Sequence, residues 1–495
     1  MSTRDRGLAV VCGAMFVSAV DMTIVNVALP SISADLDAGV GELQWVLDGF
    51  LVALAGLLLL GSGLADRFGR KRVFLGGMTG FGITSVLCAL APTAEMLIAA
   101  RVLMGASLAC VMPPALSLIA VMYPPEERQR ALSVWVVVAG VGLVLGPVLG
   151  GLLVSAVGWE AVFLVNVPVA LAVVPAGIAF LPESTRPGAP PLDLVGVVLS
   201  IVSLGAIVFA LIEAPDAGWT SAPVIAMAVV GVAAGVGFFR SELRRRDPLF
   251  DVRVLTRPAV AAGAIGLMTV YLTFLGMLFL IPQYLQYVHG RSVEVTGLLL
   301  MPLGLGVAVG SRYAPRLLAS AGARVTVAGS LIGLAISTAG FLLLGQTTSL
   351  VVVLVASAFF GAFFALGLQP ATGVILEDLG EAKAGDGAAI NQLARQVGGA
   401  LGVAVIGTVF AGAYASNIDR ELSDLTEAQR ERASQSIEEA GEVLRSLPAG
   451  ARDALVVRVD DAFDAAAHTG FAVCVGILLL AAVFAAVALR PRSAR

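Results

Sequence analysis

The chain has 495 residues, of which 58% are hydrophobic and 13% charged, and its mean hydropathy of +0.93 excludes a soluble globular domain. Its net charge of -4 and pI near 5.4 give nucleic acid no basic surface to bind. Cys12, Cys88, Cys110 and Cys474 each sit alone in an apolar run, which suggests neither a disulfide framework nor a metal site. The composition predicts an all-α polytopic membrane protein without cofactor.

A membrane span needs about 20 largely apolar residues to cross about 30 Å of hydrocarbon. The first such window covers about residues 7–29 and ends in DMTIVNVALP (21–30), so the carboxylate of Asp21 falls inside an apolar helix. That window is too long for a signal-peptide core and no cleavage site precedes Asp21, so it reads as a retained span. The second, about 44–65, opens with WVLDGF, which places Asp48 four residues in, and runs into GLADRFGRKR (63–72). Windows at about 72–91 and 95–120 follow, the latter carrying RVLMG (101–105) with Arg101 in its outer part. The fifth, about 130–154, contains GVGLVLGPVLGG (140–151), and the sixth, about 160–181, opens with WEAVFLVNVPVA (159–170). The break PESTRPGAPPLD then closes a first six-span unit, residues 1–185.

Two windows, about 192–212 and 221–239, occupy an inserted segment, 186–245. Six more, about 259–285, 293–311, 324–344, 349–376, 386–412 and 464–489, make up 246–495 and bring the total to 14. An even count puts both termini on one side, and Arg4, Arg6, Arg67, Arg70, Lys71, Arg72, Arg128, Arg130, Arg186, Arg312, Arg316, Lys383, Arg490, Arg492 and Arg495 all fall there. By the positive-inside rule that side is cytoplasmic. The opposite side carries a loop at about 413–463, where twelve acidic residues stand against six basic ones between Asp419 and Asp464. Its segment TEAQRERASQSIEEAGEVL reads as helical, and nothing in it resembles a catalytic site. Arginine supplies 29 of the 31 basic residues, a composition that suggests a high-GC bacterial genome.

An internal repeat is visible. GSGLADR (61–67) recurs as GSRYAPR (310–316), and Gly105 with Pro114-Ala115 recurs as Gly361 with Pro370-Ala371. Two parallel repeats about an axis along the membrane normal form the transporter arrangement that binds substrate at their interface near midplane. The repeat breaks where charge is concerned: Arg101 maps onto Ser357 and Asp66 onto Pro315.

A central Asp or Arg costs about 2.5–3.5 kcal/mol on insertion scales, so such residues face a cavity or a partner. At about 1.5 Å per residue, Asp21 and Arg101 lie roughly 12 and 9 Å below the outer surface. Contact between them is geometrically plausible. In GVGLVLGPVLGG, Gly142, Gly146 and Gly150 share one helical face and admit a close neighbour, Gly151 follows, and Pro147 removes a hydrogen bond and invites a bend. In GLADRFGRKR, Asp66 can cap or pair with a neighbouring helix end, while the arginines and Lys71 stay in the anionic headgroup layer. Glu377, Asp378 and Asp386 cluster at cytoplasmic span ends and read as solvated loop charges. His289 and His468 lie outside the spans or at a span end, which argues against a histidine proton relay.

These motifs together resemble the major facilitator superfamily, specifically its 14-span drug:proton antiporters, along essentially the whole chain. DMTIVNVALP is similar to that family's first-span motif, GLADRFGRKR to its loop between spans 2 and 3, RVLMG to its fourth-span motif and GVGLVLGPVLGG to its antiporter motif. The chain departs from the pattern at Ser62, where a glycine is usual, and at Glu160-Ala161, where Arg-Trp is usual. The resemblance implies 14 transmembrane helices arranged as two pseudo-symmetric six-helix bundles with two helices inserted between them. It implies a monomeric, multi-pass protein of the bacterial inner membrane, exchanging protons for amphipathic, cationic or antibiotic-like molecules by alternating access. Asp21 and Arg101 become the expected proton-coupling pair, and Asp66, Arg67, Gly69, Arg70 and Lys71 a conformational latch between halves. Asp48 becomes a carboxylate for a cationic substrate, walled by candidates Trp45, Asn26, Tyr271, Phe274, Gln283, Gln369, Asn391 and Gln392. A facilitator or symporter of a specific metabolite on the same fold is the alternative; a lipid exporter or a membrane enzyme is more remote.

Overall fold

A computed structural model describes residues 3–185, 192–245, 252–345, 348–380, 384–422, 425–435, 437–446 and 449–489. The expected unit boundaries at 185/186 and 245/246, and Arg186, Lys383, Arg490, Arg492 and Arg495 of the charge count, border on or lie outside the described residues, as does the Asp386 side chain. The described residues are almost entirely α-helical, with no strand. The helices are α1 (Thr3–Leu36), α2 (Val40–Phe68), α3 (Arg70–Ala89), α4 (Ala94–Ala109), α5 (Met112–Met122), α6 (Pro125–Ala156), α7 (Ala161–Leu164), α8 (Asn166–Phe180) and α9 (Leu194–Ala217). They continue as α10 (Ala222–Arg244), α11 (Pro258–Tyr287), α12 (Val293–Leu299), α13 (Met301–Gly340), α14 (Leu350–Leu379), α15 (Ala384–Glu421), α16 (Glu427–Gln435), α17 (Ile437–Arg445) and α18 (Ala449–Ala488).

By length and composition, 12 helical stretches can cross a membrane, or 13 when the bent pair Arg130–Leu143 and Leu145–Ala156 counts as one. One stretch, Val293–Leu343, is 51 residues long and breaks at Gly322, whose φ of 76° only glycine adopts at little cost. The expected windows 293–311 and 324–344 lie on either side of that break. The expected fourth span, about 95–120, falls within the apolar stretch Ala94–Met122, which is built of two helices: Pro113-Pro114 restarts the chain as α5, with Cys110 and Val111 following α4. In the segment 413–463, expected to hold a helical run, α15 continues to Glu421 and α18 begins at Ala449, with α16 and α17 between.

The sequence repeat has a packing counterpart. In lipid, helices associate through close backbone approach, which small residues permit. A Cβ on Gly61 of α2 would lie 2.0 Å from the Ala109 carbonyl oxygen of α4, and one on Gly105 of α4 would lie 2.2 Å from the Phe50 carbonyl oxygen of α2. In the second half Gly310 of α13 meets Ala362 of α14 at 2.2 Å, and Gly361 of α14 meets the Leu303 carbonyl oxygen at 1.9 Å. Each repeat thus locks its second and fourth spans by one glycine from each side.

Hydrogen bonds fix the sense of the helices. The Gln286 amide donates to the Val27 carbonyl at 3.1 Å, and Leu275 shares a cavity with Met22 and Asn26, so α1 and α11 run parallel. The Tyr284 hydroxyl donates to Asp464 at 2.5 Å while Leu280 touches the Gly470 position, so α18 runs antiparallel to α11. The chain begins and ends on one face of the molecule, called here the near face. The inserted helix α9 lies across the junction of the two halves. It meets α2 through Ser200, which donates to the Gly56 carbonyl at 3.3 Å, and α15 through Thr408, which donates to the Leu211 carbonyl at 2.7 Å. Its partner α10 packs against α9 through Gly231 and Ser203, whose hydroxyl donates to the Gly231 carbonyl at 2.9 Å.

Candidate functional site

Arg101 and Asp21 are in contact. The Arg101 Nη1 donates to Asp21 Oδ2 at 2.7 Å, with the two side chains 1% and 0% exposed. The other Asp21 oxygen accepts from Asn166 Nδ2 of α8 at 3.0 Å, and that amide also reaches Ser85 Oγ of α3 at 3.3 Å. Arg101 spends its Nε on the Val46 carbonyl of α2 at 3.0 Å and lays its guanidinium over the Phe50 ring, 4.2 Å from the centroid. A buried ion pair holds only if its remaining donors and acceptors are satisfied, and here one carboxylate and one guanidinium tie α1, α2, α4 and α8 together. Asn166 falls within WEAVFLVNVPVA at the start of the sixth window, where an amide in an apolar helix is the sequence signal that marks it.

The pair has an outlet. A cavity of about 10 Å³, room for about one water, lies between the halves against Arg101, Asn26, Phe50 and Leu47 on one side and Leu275 of α11 and Val403 of α15 on the other. Asn26 gives its amide to the Met22 and Thr23 carbonyls at 3.3 and 3.4 Å, and its Oδ1 has no hydrogen-bond partner among the described residues. In the second half, Ser357 stands at the position corresponding to Arg101, fully buried, and its hydroxyl has no hydrogen-bond partner among the described residues.

The bend in α6 reaches the same site. Segments Arg130–Leu143 and Leu145–Ala156 meet at 40°. Pro147 has no N–H to give the carbonyl four residues back, that of Leu143. That carbonyl accepts instead from Thr23 Oγ1 of α1 at 3.1 Å, two residues from Asp21. Gly142, Gly146 and Gly150 make the approach possible, since a Cβ at each would lie 2.8, 1.9 and 2.8 Å from α1 atoms of Ala19, Thr23 and Ile24. Gly151 and Pro147 face the other way: a Cβ on Gly151 would lie 2.7 Å from the Val293 carbonyl of α12, and one on Gly297 2.5 Å from the Pro147 carbonyl. One helix therefore touches the ion pair's neighbourhood in the first half and the backbone of the second.

Asp48 is fully buried, and neither of its carboxylate oxygens has a hydrogen-bond partner among the described residues. Gln44 and Leu51 of α2 meet Gly407 and Gly399 of α15, while Trp45 and Val52 meet α9, so Asp48 lies on the side of α2 between α15 and α9, at the level of Val403. Trp45 turns elsewhere, its ring 6.2 Å from that of Phe209 on α9, against the inserted helix and away from the central cavity. Tyr271 and Phe274 form an aromatic cluster with Phe360 and Phe364 of α14, and the Arg395 guanidinium lies 5.6 Å from the Tyr271 centroid. Gln283 turns its amide to the Phe279 carbonyl and Asn391 to the Gly387 carbonyl, each within its own helix, and Gln369 is half-buried. Gln392 is the member of this group that crosses the seam, 3.1 Å from Met112 Sδ. The residues expected to wall one site are thus spread along the seam, the C-terminal aromatic cluster and the α2–α9 contact.

At the near face Asp66 pairs with Arg70 one turn on, Oδ1 to Nη2 at 3.0 Å. Gly69, at φ 109°, makes the turn between α2 and α3. The Arg70 N–H donates to the Ser184 carbonyl, the Lys71 N–H to Glu183, and the Lys71 ammonium to the Ile178 carbonyl at 2.7 Å, where the α8 dipole favours a cation. These contacts stay inside the first half. Arg67 lies over the neighbouring Phe68 ring. Asp378 pairs with Arg257 at 3.3 Å, which gives that acid a structural partner. At the far face His468 Nε2 lies 2.8 Å from the Leu344 carbonyl and 3.8 Å from Asp464, and the His289 ring packs on Tyr284.

Residues 11–403 match the Major Facilitator Superfamily. The chain belongs to that superfamily. This major facilitator is similar to the multidrug efflux pump LfrA of Mycolicibacterium smegmatis, 32% identical over 98% of this chain and 96% of the pump. It is also similar to the tetracenomycin C resistance and export protein of Streptomyces glaucescens, 34% identical over 90% of this chain and 82% of that one. Its fold is shared by a bacterial homologue of the human lysosomal transporter Spinster, crystallised inward-facing and unoccupied, with a TM-score of 0.70 over 99% of this chain and 97% of that one at 19% identity. The major facilitator is a multi-span membrane transporter and not an enzyme.

Proposed function

We propose that this major facilitator exports amphipathic, cationic or antibiotic-like small molecules in exchange for protons, as a monomer in the bacterial inner membrane with both termini cytoplasmic. The observation that carries the reading is the buried Asp21–Arg101 pair, open to a one-water cavity between the halves and linked to bent α6 through Thr23. A proton reaching Asp21 cancels the charge that holds Arg101, and an uncompensated buried guanidinium costs about 3–5 kcal/mol. That is enough to favour a rearrangement of α1 against α4 and α6, the contact on which access to either face depends.

Asp48 supplies the second half of the exchange. A buried carboxylate with no hydrogen-bond partner among the described residues has to be balanced by a proton or by a bound cation. Alternation between the two is antiport. The relatives, named for multidrug efflux and for antibiotic export, support the substrate class. The Gly-Pro pattern of α6 supports antiport over the facilitator reading.

The test is dye efflux from vesicles with an imposed pH gradient, comparing wild type with Asp21→Asn and Asp48→Asn. Efflux should follow the gradient in wild type, lose that dependence in Asp21→Asn and lose cationic dyes selectively in Asp48→Asn. Wild-type export that survives collapse of the gradient would remove the proton from the mechanism.

A further inference from the structure

On the far face, α16 packs on α15 and α17 on α18, and the start of α17 reaches the junction of the two halves. Helix α17 buries Ala440, Val443 and Leu444 along one face and points Ile437 at the seam. There Ile437 closes a cavity of about 10 Å³ that is also lined by Ser33 of α1, Leu43 of α2, Tyr414 of α15 and Phe463 of α18. The seam that a departing molecule would use is therefore stoppered by a residue of the cap. Behind the stopper lies a larger cavity, about 290 Å³, between α17, α18 and the end of α11. Tyr287 and Ile437 line both cavities and form the partition between them.

The larger cavity has the chemistry of a cation site. Its walls are apolar, from Leu444, Val456 and Val459, with the Tyr287 side chain on one side. Asp460 supplies a carboxylate for which no ion pair or hydrogen bond is found among the described residues. The Arg445 guanidinium at the rim turns its Nε back to the Gly441 carbonyl of its own helix at 3.3 Å. The surrounding segment, Asp419 to Asp464, carries twelve acidic and six basic residues, which raises the local concentration of cations. Near 300 Å³ is the size at which small-molecule pockets begin.

We infer that this far-face vestibule is a second binding site, taking an aromatic monocation at Asp460 after it passes the Tyr287–Ile437 partition. The inference rests on the export reading, since it places the vestibule on the exit side. An exported cation is held there briefly, out of line with the seam, while Ile437 reseats behind it.

The test uses the full chain in right-side-out vesicles with the proton gradient collapsed and ethidium as probe. Val456 is 40% exposed at the vestibule wall, whereas the native cysteines are buried or half-buried, so an impermeant maleimide reports on Val456→Cys. Ethidium should slow labelling in proportion to its occupancy. Adding Asp460→Asn should raise the half-protecting concentration about fivefold, and Arg445→Gln should lower it by about the same factor, as expected for one charge at a partly solvated site. Asp460→Glu should protect like wild type, which separates loss of charge from loss of fold. Labelling indifferent to ethidium, or protection unchanged by both charge substitutions, would overturn the inference. Proton-driven ethidium efflux measured in the same preparation keeps the two readings apart. Efflux without protection removes the vestibule alone; protection without proton-driven efflux supports the vestibule and removes the export reading.

Discussion

The hydrogen bond from Thr23 to the Leu143 carbonyl can be isolated by a double-mutant cycle. Thr23→Val keeps the side-chain volume and removes the donor, leaving a buried carbonyl whose intrahelical partner Pro147 never supplied. An unsatisfied buried acceptor costs about 1–3 kcal/mol in general, but interhelical hydrogen bonds in membrane proteins average about 0.6 kcal/mol with a ceiling near 1.7. Because Gly142, Gly146 and Gly150 hold the backbones too close for water or another side chain to enter, Thr23→Val should cost near the upper end, about 1.5 kcal/mol. Pro147→Ala returns an N–H to the same carbonyl, so Thr23→Val in that background should cost about 0.5 kcal/mol or less, a coupling near 1 kcal/mol. Urea unfolding of the full chain in lipid bicelles, followed by tryptophan fluorescence, measures all four corners. Additive costs within about 0.3 kcal/mol would refute the idea that the α6 bend is spliced into α1 through this bond.

Asp21→Asn strands the buried Arg101 charge and should lower stability by about 3–5 kcal/mol; adding Arg101→Gln should recover much of the melting temperature and none of the proton-driven efflux. Recovery of both would show that the pair is structural only. Gly146→Ala sets a methyl 1.9 Å from Thr23 Oγ1 and should cost about 1–3 kcal/mol in the same unfolding assay. Gly140→Ala, with nothing within 4 Å, should stay within about 0.5 kcal/mol and serves as its control. Asp48→Asn breaks no hydrogen bond and should leave the melting temperature unchanged or raised, while its effect appears in the efflux of cationic dyes. A marked fall in stability would mean that Asp48 has a structural partner.

The Asp21–Arg101 contact could be anticipated because depth in a membrane helix follows from residue count at a fixed rise, and two opposite charges at one depth in apolar spans have few other partners. Which way a helix is rotated does not follow from count. Helix α2 is apolar and covered on nearly every side, so no stripe distinguishes the face toward α9, where Trp45 packs, from the face toward α15, where Gln44 and Leu51 lie. The glycine face of α6 is legible from its spacing, yet its bond to Thr23 of α1 is not, because the group that Thr23 reaches is the Leu143 backbone carbonyl, which carries no residue identity. The same limit hid the Val46 carbonyl under Arg101 and the Ile178 carbonyl under Lys71. The acidic segment after α15 shows its helical propensity, but where the apolar face of α17, Ala440, Val443 and Leu444 with Ile437 at its start, comes to rest does not follow from propensity.

Helix α9, with Ser200 on α2 and Thr408 against its Leu211 carbonyl, also decides how the transporter meets the lipid around it. Of the two lateral slits that a pair of bundles leaves along its length, α9 and α10 wall off the one between α2 and α15. On the opposite side α6 and α12 meet backbone to backbone at Gly151 and Gly297. The two flanks of the bundle pair are therefore closed by different means, one by an added helix and the other by the glycines of a bent one.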